Sequence, residues 1–285
     1  MNEKLAYFLT STKKKLLRRD LNCPSCGAEG GALVDSKFVV TSLLRCRSCQ
    51  LLFRSPTTSI EENHAFYQEE YSQGFTTELP SDADLKRLIS TRFGGGKSYA
   101  GYIEVLEALG IEKGRKIFDF GCSWGYGSWQ LKVHGFDVES FEISRPRAKY
   151  AREKLGLHVA ESMHEVKGPY DVFFTSHVLE HVPSVQATIE TAFQLLRSGG
   201  LFVAFTPNGS VAFRSKKPKD WRRLWGRVHP QFLDDVYYRK QFERLATVLD
   251  SAPYKLNELS SWSRTKRDAM CLDLGGHELL LVACK

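Results

Sequence analysis

The chain has 285 residues, of which 42% are hydrophobic and 26% charged, and its formal net charge is +7. This composition is typical of a soluble globular protein, and the length suits one α/β domain with a small appendage. No apolar run approaches the roughly 18–20 residues that a membrane span requires, and the N-terminus lacks the apolar segment of a signal peptide. We therefore expect a cytoplasmic protein with a mild preference for anionic partners.

Residues 1–20 carry a basic amphipathic pattern. Leucine and phenylalanine side chains can share part of one helical face, and five basic residues accompany them: Lys13, Lys14, Lys15, Arg18 and Arg19. Such a segment is either a terminal helix docked on the rest of the chain, with solvated lysines, or an arm that binds nucleic acid. We favour the docked helix.

Residues 21–55 contain two Cys-x-x-Cys pairs, the strongest local signal in the sequence. The four cysteines are Cys23, Cys26, Cys46 and Cys49, and short strands are predicted between the pairs, over 32–34 and 37–44. Four thiolates at this spacing suit a tetrahedral structural Zn²⁺ with no open position for catalysis. So small a segment needs such a staple to fold. The three other cysteines, an odd number, argue against a disulfide framework.

Residues 56–98 are predicted to link this zinc ribbon to the main domain. We expect helices over 60–71 and 82–93, separated by a loop over 72–81. The run from Gly94 to Ser98 resembles a phosphate-binding loop, but Thr91 stands where that pattern requires glycine and no apolar strand precedes it. We interpret the glycine run as a hinge, which would let the linker close as a lid over the site described next.

The region over 116–143 predicts a nucleotide-binding unit. An apolar strand over 116–120 ends at Gly121, a helix begins near Ser128, and a second strand over 137–143 carries Glu142 near its carboxyl end. Strand, glycine turn, helix and strand with a terminal acid form the first half of a nucleotide-binding α/β unit. The glycines let a ligand approach the backbone, and the carboxylate can accept two hydrogen bonds from a ribose diol.

The glycine turn indicates which nucleotide binds. A dinucleotide fingerprint, G-x-G-x-x-G, fails at Ser123 and Tyr126 when aligned on Gly121. What fits is D-x-G-x-x-x-G, from Asp119 to Gly125, a pattern that we associate with S-adenosylmethionine (SAM). SAM has no pyrophosphate, so it does not need the tighter turn. The alternative is an ordinary strand-to-helix turn.

Strands and helices alternate over the rest of the chain. Helices are predicted over 99–109, 144–155 and 185–197, strands over 157–160, 171–175 and 201–205, and a final antiparallel pair over 255–262 and 277–283. This order predicts a Rossmann-like, doubly wound, mostly parallel sheet of about seven strands. We assign residues 99–285 to this domain.

Several motifs occur in an order that is specific to one family. They are the ribbon ending in Cys-x-x-Cys-Gln-Leu-Leu-Phe-Arg-Ser-Pro, the aromatic run Phe66-Tyr67-x-x-x-Tyr71, the turn from Asp119 to Gly125, Glu142, His177-Val-Leu-Glu-His181-Val, Gly199-Gly200-Leu and Thr206-Pro-Asn208. Over residues 21–245 the chain resembles class I SAM-dependent methyltransferases with an N-terminal zinc ribbon. That subgroup modifies small molecules and polysaccharides.

The resemblance implies a set of cofactor-binding residues. Around the methionine part of SAM it places Asp119, Gly121 and Gly125; on the ribose, Glu142; beside the adenine, Ser162 and Met163; and facing the methionine part and the acceptor, Ser176 and His177. Cys122 and Ser123, in the same turn, are also expected to bind the cofactor. Ser123 departs from the family, which usually has glycine there.

A methyl group on a sulfonium is already activated, so its transfer needs mainly proximity and alignment. A general base would be a histidine, and the candidates are His177, His181 and His229. The alternative roles are structural: His181 could brace the helix that follows it, and His177 could bond to backbone or cofactor. Glu180 between two histidines resembles a metal cluster, but its spacing is not H-E-x-x-H, so we favour a structural role there too.

Residues 214–227 form a basic segment, here called the basic flap, with seven basic residues and one acidic residue, a net charge of +6. Interleaved Trp221 and Trp225 suggest a grip on an anionic saccharide, a sugar nucleotide or RNA. The alternative is a solvated loop whose tryptophans pack on the core. The charge excess of the whole chain is about that of the flap, which favours a local anionic ligand over RNA. An enzyme acting on a small-molecule or saccharide acceptor is therefore preferred to an RNA-directed methyltransferase or a non-catalytic SAM-fold protein.

Overall fold

The structure is a computed structural model that describes residues 3–17, 19–59, 62, 79–227 and 229–285. Apart from Glu62, the predicted helix over 60–71 lies outside the described residues, as does most of the loop predicted after it. No helix in the described part of the chain is long and apolar enough to cross a membrane.

The described residues form ten α-helices and twelve strands. The helices are α1 Glu3–Leu16, α2 Asp82–Ser90, α3 Ala100–Ala108, α4 Tyr126–His134, α5 Arg145–Leu155, α6 Val185–Leu195, α7 Val211–Lys216, α8 Pro218–Arg223, α9 Asp235–Gln241 and α10 Leu256–Ser260. The strands are β1 Ala32–Lys37, β2 Thr41–Arg45, β3 Leu52–Ser55, β4 Lys116–Phe120, β5 Asp137–Phe141, β6 His158–Ala160, β7 Tyr170–Ser176, β8 Leu196–Pro207, β9 Gln231–Phe232, β10 Thr247–Ser251, β11 Ala269–Cys271 and β12 Glu278–Cys284.

Eight strands of the described chain form one sheet, in the order β11-β10-β12-β8-β7-β4-β5-β6. The strands β4 to β8 pair in parallel, and β12 lies antiparallel between β8 and β10. Successive residues of β7 contribute to two separate hydrophobic clusters, Phe173 to one and Val172 and Phe174 to the other. Burial on both faces explains the continuous apolar runs of these strands. The predicted α/β fold with a mostly parallel sheet is confirmed.

The C-terminal strand pair was predicted with one wrong partner. Residues 255–262 contain the helix α10, and the strand that pairs with β12 is β10, with Val248 opposite Val282. Leu256 and Leu259 are three residues apart, so they share one face of a helix, and Leu259 is buried. The true strand is a short apolar run just before this helix.

The ribbon joins the main domain through a second sheet. Strands β1, β2 and β3 form an antiparallel meander, and β3 pairs with β9, with Leu52 opposite Phe232 and Phe53 opposite Gln231. A salt bridge of 2.5 Å between Arg45 and the fully buried Asp234 reinforces the junction. The ribbon is therefore continuous with the backbone around residues 230–232.

The basic flap forms the short helices α7 and α8, which pack on the ribbon. Trp221 and Trp225 are each 2% exposed and share a hydrophobic cluster with ribbon side chains. The buried guanidinium of Arg54 donates to the carbonyl oxygens of Gly226 and Arg227, at 3.2 and 3.1 Å. The tryptophans thus follow the structural alternative, whereas most of the basic side chains of the flap stay exposed.

Candidate functional site

A cavity of about 290 Å³ lies where the carboxyl ends of β4, β5 and β7 meet at one edge of the sheet. Ligands bind at this edge in open α/β sheets. Predicted site residues in its wall are Gly121, Cys122, Ser123, Glu142, Met163, Ser176, His177 and His181. Those outside the wall are Asp119, Gly125, Ser162 and His229. Eight of the twelve predicted binding and catalytic residues therefore lie in the wall of this cavity.

The turn after β4 requires glycine for two reasons. Gly121 has a φ of 84°, in the left-handed region, and a Cβ atom there would lie 2.5 Å from Cγ2 of Val178. Gly125 has a φ of 88°, and its Cβ would lie 2.6 Å from Cδ1 of Leu157. Backbone conformation and close packing both exclude a side chain, so the turn can bring its backbone next to a ligand.

Ser123 also has left-handed backbone, with a φ of 54°. Its amide donates to Oε2 of Glu142 at 2.8 Å, and its hydroxyl accepts from Nη1 of Arg147 at 2.6 Å. Arg147 is 3% exposed and lies in the first turn of α5. The serine that departs from the family pattern is thus held by a buried arginine, which sequence reasoning missed because no motif links the two positions.

Glu142 closes the cavity from the end of β5. Its two carboxylate oxygens accept from the amides of Ser123 and Ser144, both at 2.8 Å, and it is 4% exposed. Burial raises the pKa of Glu142, although both amides and the charge of Arg147 act in the opposite direction. Each oxygen keeps a second lone pair, so this carboxylate can still accept hydrogen bonds from a ribose diol.

Asp119 supports the turn from behind rather than lining the cavity. Its Oδ2 accepts from the hydroxyl of Ser128 at 2.5 Å, which ties the end of β4 to α4. Burial raises the pKa of Asp119 to about 7, with the Ser128 hydrogen bond opposing the rise and the charge of Glu142 adding to it. Asp119 is therefore a positioning group in this structure.

His177 follows β7 directly and has a φ of 54°. Its Nε2 lies 2.5 Å from Oε1 of Glu278, which also accepts from the hydroxyl of Tyr102 at 2.7 Å, while Oε2 of Glu278 accepts from Tyr254. Its Nδ1 lies 3.5 Å from Glu180. Burial alone lowers the pKa of His177, but the two carboxylates outweigh burial and raise it to about 10. Glu278, 101 residues away in the chain, carried no sequence signal.

Glu180, His181 and His229 come together beside this pair. Their side-chain donor atoms all lie within 4.8 Å of one another, and the two imidazole rings meet edge-on with centroids 4.8 Å apart. Nδ1 of His229 lies 2.6 Å from the carbonyl oxygen of Leu224. Burial alone would raise the pKa of Glu180, but the nearby histidines lower it to about 2. The sequence placed Glu180 and His181 side by side, but not His229 with them.

The four ribbon cysteines also converge. The sulfur atoms of Cys23 and Cys49 are 3.6 Å apart and those of Cys26 and Cys46 are 3.5 Å apart, and all four lie within 4.8 Å of one another. Zn–S bonds of about 2.3 Å in a tetrahedron place sulfurs about 3.8 Å apart. The donor set and its spacing therefore fit a tetrahedral metal ion.

A family model described as a methyltransferase domain matches residues 97–248, a little over half of the chain. The chain belongs to this methyltransferase family. The match covers β4 to β8, the glycine turn and every residue of the cavity wall. The family predicted from the sequence is thereby confirmed, while the roles of individual site residues stay predictions.

Individual relatives match this methyltransferase over shorter stretches. The ubiquinone biosynthesis O-methyltransferase of Bordetella avium is 28% identical over 106 residues, which are 34% of this chain and 44% of that protein. The "Probable S-adenosylmethionine-dependent methyltransferase" of Mycolicibacterium smegmatis is 28% identical over 100 residues, 33% of this chain and 39% of that protein. The chain thus spans less than half the length of these relatives.

A solved structure shares the fold. The plantazolicin methyltransferase BpumL, in complex with SAH, superposes with a TM-score of 0.50 at 12% identity. The superposition covers 79% of this chain and 96% of that one. At this identity the likeness concerns the fold alone.

Proposed function

We propose that this chain transfers a methyl group from SAM to an oxygen of a small-molecule or saccharide acceptor. The observation that carries the proposal is the cavity at the sheet edge, where the Cβ-free turn at Gly121 faces the carboxylate of Glu142. Membership of the methyltransferase family supports the reaction type. The relative named as an O-methyltransferase supports oxygen as the methylated atom.

The cavity wall fits SAM as its ligand. When bound, SAM supplies a methyl group on a positively charged sulfur. Gly121 leaves room at the turn, Glu142 offers lone pairs to the ribose hydroxyls, and Met163 presents an apolar side chain on the adenine side. Ser123 and Arg147 hold the turn, and Asp119 ties it to α4.

The acceptor would enter beside Ser176, His177 and His181, which lie on the wall opposite Glu142 along the sheet edge. His177 stands between two carboxylates that keep it protonated, so it is poorly suited to take a proton. The other two candidate histidines, His181 and His229, lie together beside Glu180. The basic flap precedes His229 in the chain, and its exposed cations favour an acceptor that carries a phosphate or another anionic group.

We further propose that Cys23, Cys26, Cys46 and Cys49 bind a structural Zn²⁺. With four thiolate ligands the ion would have no open position. Its role would be to hold the ribbon, whose strand β3 pairs with β9 just after His229. The ribbon would thereby fix one wall of the acceptor side, in keeping with a ribbon over 21–55, a linker over 56–98 and a catalytic domain over 99–285.

RNA remains the second candidate acceptor, because the basic side chains of the flap are exposed. However, Trp221 and Trp225 are buried against the ribbon, so they are not available to stack on bases. This favours a small acceptor.

The acceptor class can be tested by the release of SAH from SAM. Purified protein would be incubated with hydroxylated aromatic compounds, sugar nucleotides, anionic glycans and a short RNA. We expect turnover with a small hydroxylated or phosphate-bearing compound, and loss of turnover in His181→Asn. Turnover with RNA alone would favour the second candidate, and SAM binding without turnover on any class would favour a non-catalytic protein.

A further inference from the structure

One buried carboxylate beside the cavity has imidazoles near it but no hydrogen bond to either oxygen from the described residues. The side chain of Glu180 is 1% exposed, and neither of its oxygens has a hydrogen-bond partner among the described residues. A buried carboxylate is stable only when it is paired, hydrogen-bonded or bound to a metal ion. The nearest polar neighbours of Glu180 are imidazoles at ion-pair distance, so both oxygens still have lone pairs available to a metal ion.

Imidazole nitrogens surround this carboxylate at a characteristic separation. Oε1 of Glu180 lies 3.8 Å from Nε2 of His181 and 3.5 Å from Nδ1 of His177. These distances are too long for good hydrogen bonds. The His181 distance exceeds by about 0.4 Å the roughly 3.0–3.4 Å that separates two ligand atoms bound to one metal ion through bonds of about 2.1 Å, so a small side-chain movement would bring both atoms onto one ion.

The orientation of His229 matches that of a metal ligand. Its Nδ1 lies 2.6 Å from the carbonyl oxygen of Leu224, so Nδ1 is the nitrogen that bonds to the backbone and Nε2 is the nitrogen left for the cluster. Ligating histidines in metal sites are oriented by such a hydrogen bond from the other ring nitrogen. His177 is a charged neighbour of the cluster and not one of its ligands, because Glu278 binds its Nε2 and its Nδ1 faces Glu180.

The backbone segments that carry these residues are fastened together. The amide of Gln231 donates to the carbonyl oxygen of Glu180 at 3.3 Å, and its side-chain amide donates to the carbonyl oxygen of Val182. Gln231 is fully buried, and it belongs to β9, which pairs with the ribbon. The cluster is therefore preorganised by the fold.

From this geometry we infer that Glu180, His181 and His229 bind one divalent transition-metal ion on the acceptor side of the cavity. Two imidazoles and one carboxylate suit Mn²⁺, Fe²⁺, Co²⁺ or Zn²⁺, and they leave further positions for a water molecule or a substrate oxygen. This site is separate from the four cysteines, whose soft thiolates suit Zn²⁺ in a closed shell. The competing explanation is a metal-free network in which protonated histidines neutralise Glu180.

The role of the ion rests on the proposed function, whereas its binding does not. His181 lines the cavity, so an ion at this site could bind the acceptor hydroxyl and lower its pKa. The O–H bond would break with release of the proton to water, and the oxygen would form the new bond to the methyl carbon. The C–S bond would break with its electron pair on sulfur, which gives a methyl ether and SAH.

The experiment is a titration with Mn²⁺ of protein that holds one equivalent of zinc per chain, enough for the four cysteines alone, followed by the electron paramagnetic resonance signal of free Mn²⁺. We expect one Mn²⁺ per chain, bound at least tenfold more weakly in Glu180→Gln and in His229→Asn. The matched control is Glu190→Gln, an exposed glutamate on α6 that should bind Mn²⁺ as the wild type does. Circular dichroism and a cooperative thermal transition would establish that each variant is folded.

Each outcome decides the inference. Absence of Mn²⁺ binding by folded wild type, or equal binding by wild type and both cluster variants, would overturn it in favour of the protonated network. Should Glu180→Gln not fold, His229→Asn alone carries the comparison. Mn²⁺ binding in a protein that does not bind SAM would uphold the metal site and refute the proposed function, so the two failures are distinguishable.

Discussion

The contact between Arg147 and Ser123 should control cofactor affinity, although neither side chain is expected to react. The guanidinium donates to the hydroxyl of Ser123 at 2.6 Å, and the amide of Ser123 in turn donates to Glu142 at 2.8 Å. Removal of Arg147 would remove this hydrogen bond to the serine hydroxyl and a positive charge close to Glu142. The carboxylate would then be held less firmly in the position that meets the ribose.

The size of the effect follows from the type of bond. A hydrogen bond from a charged donor contributes about 1.5–3 kcal/mol. Part of this free energy will be lost from the stability of the unliganded protein and not from the affinity for SAH. The part that remains, about 1.4 kcal/mol, corresponds to a tenfold change in affinity. We therefore expect Arg147→Ala to weaken SAH binding about tenfold. Arg145→Ala is the matched control, because Arg145 lies in the same helical turn with its side chain 81% exposed.

A double-mutant cycle measured by calorimetry with SAH would isolate this contact. Ser123→Gly removes the hydroxyl and also relieves the left-handed backbone, which costs an L-residue about 1–2 kcal/mol. In the Ser123→Gly background, Arg147→Ala should have less than half its effect in the wild type. Equal effects in the two backgrounds would show that Arg147 does not act through Ser123, and unchanged affinity in Arg147→Ala would refute the reasoning altogether.

Three further predictions concern the turn, its buried acid and the ribbon. Gly121→Ala should abolish SAH binding because the new Cβ would lie 2.5 Å from Val178. The control is Gly114→Ala, which has a similar φ of 81° but no atom near the new Cβ and should bind SAH normally. Equal affinities of the two variants in calorimetry would contradict this prediction. Burial raises the pKa of Asp119 in the folded protein to about 7, so above that pH its buried charge destabilises the fold. Below the pKa of an unfolded aspartate the carboxyl group is neutral in both states, and the raised pKa no longer affects stability. Asp119→Asn should therefore raise Tm at pH 8 by more than at pH 5, with a stability gain on the order of 2–4 kcal/mol; the same gain at both pH values would count against the shift. Cys46→Ser should lose about one equivalent of zinc by elemental analysis, and its ribbon should become sensitive to proteolysis. Cys271 is exposed and lies outside the ribbon, so Cys271→Ser should show neither change. Zinc retained in Cys46→Ser would exclude the four cysteines as the zinc site.

The sequence predicted those parts of the site that depend on local pattern. The strand before Gly121, the glycine turn and the acid after β5 are encoded within 27 consecutive residues, from 116 to 142. Their hydrophobic runs and glycines report the fold directly, because buried parallel strands are apolar throughout. The same is true of the ribbon, where cysteine spacing alone indicates convergence.

What the sequence could not predict depends on contacts between distant segments. The pair of His177 with Glu278 and the meeting of His181 with His229 arise only once β12 and β9 are in place. The role of the tryptophans in the basic flap was ambiguous for the same reason. Their spacing in the sequence is the same whether their side chains contact a ligand or pack on the ribbon. The C-terminal strand was misplaced because Thr247–Ser251 has only two strongly apolar residues, Val248 and Leu249.

The central claim is that the cavity at the end of β4 and β5 binds SAM, and calorimetry tests it most directly. SAM and SAH would be titrated into the wild type, Glu142→Ala and the exposed control Glu165→Ala, with NAD as a control ligand. We predict micromolar binding of SAM and SAH to the wild type and to Glu165→Ala, loss of binding in Glu142→Ala, and no binding of NAD. Binding that survives unchanged in Glu142→Ala, or a folded wild type that binds neither SAM nor SAH, would contradict the account.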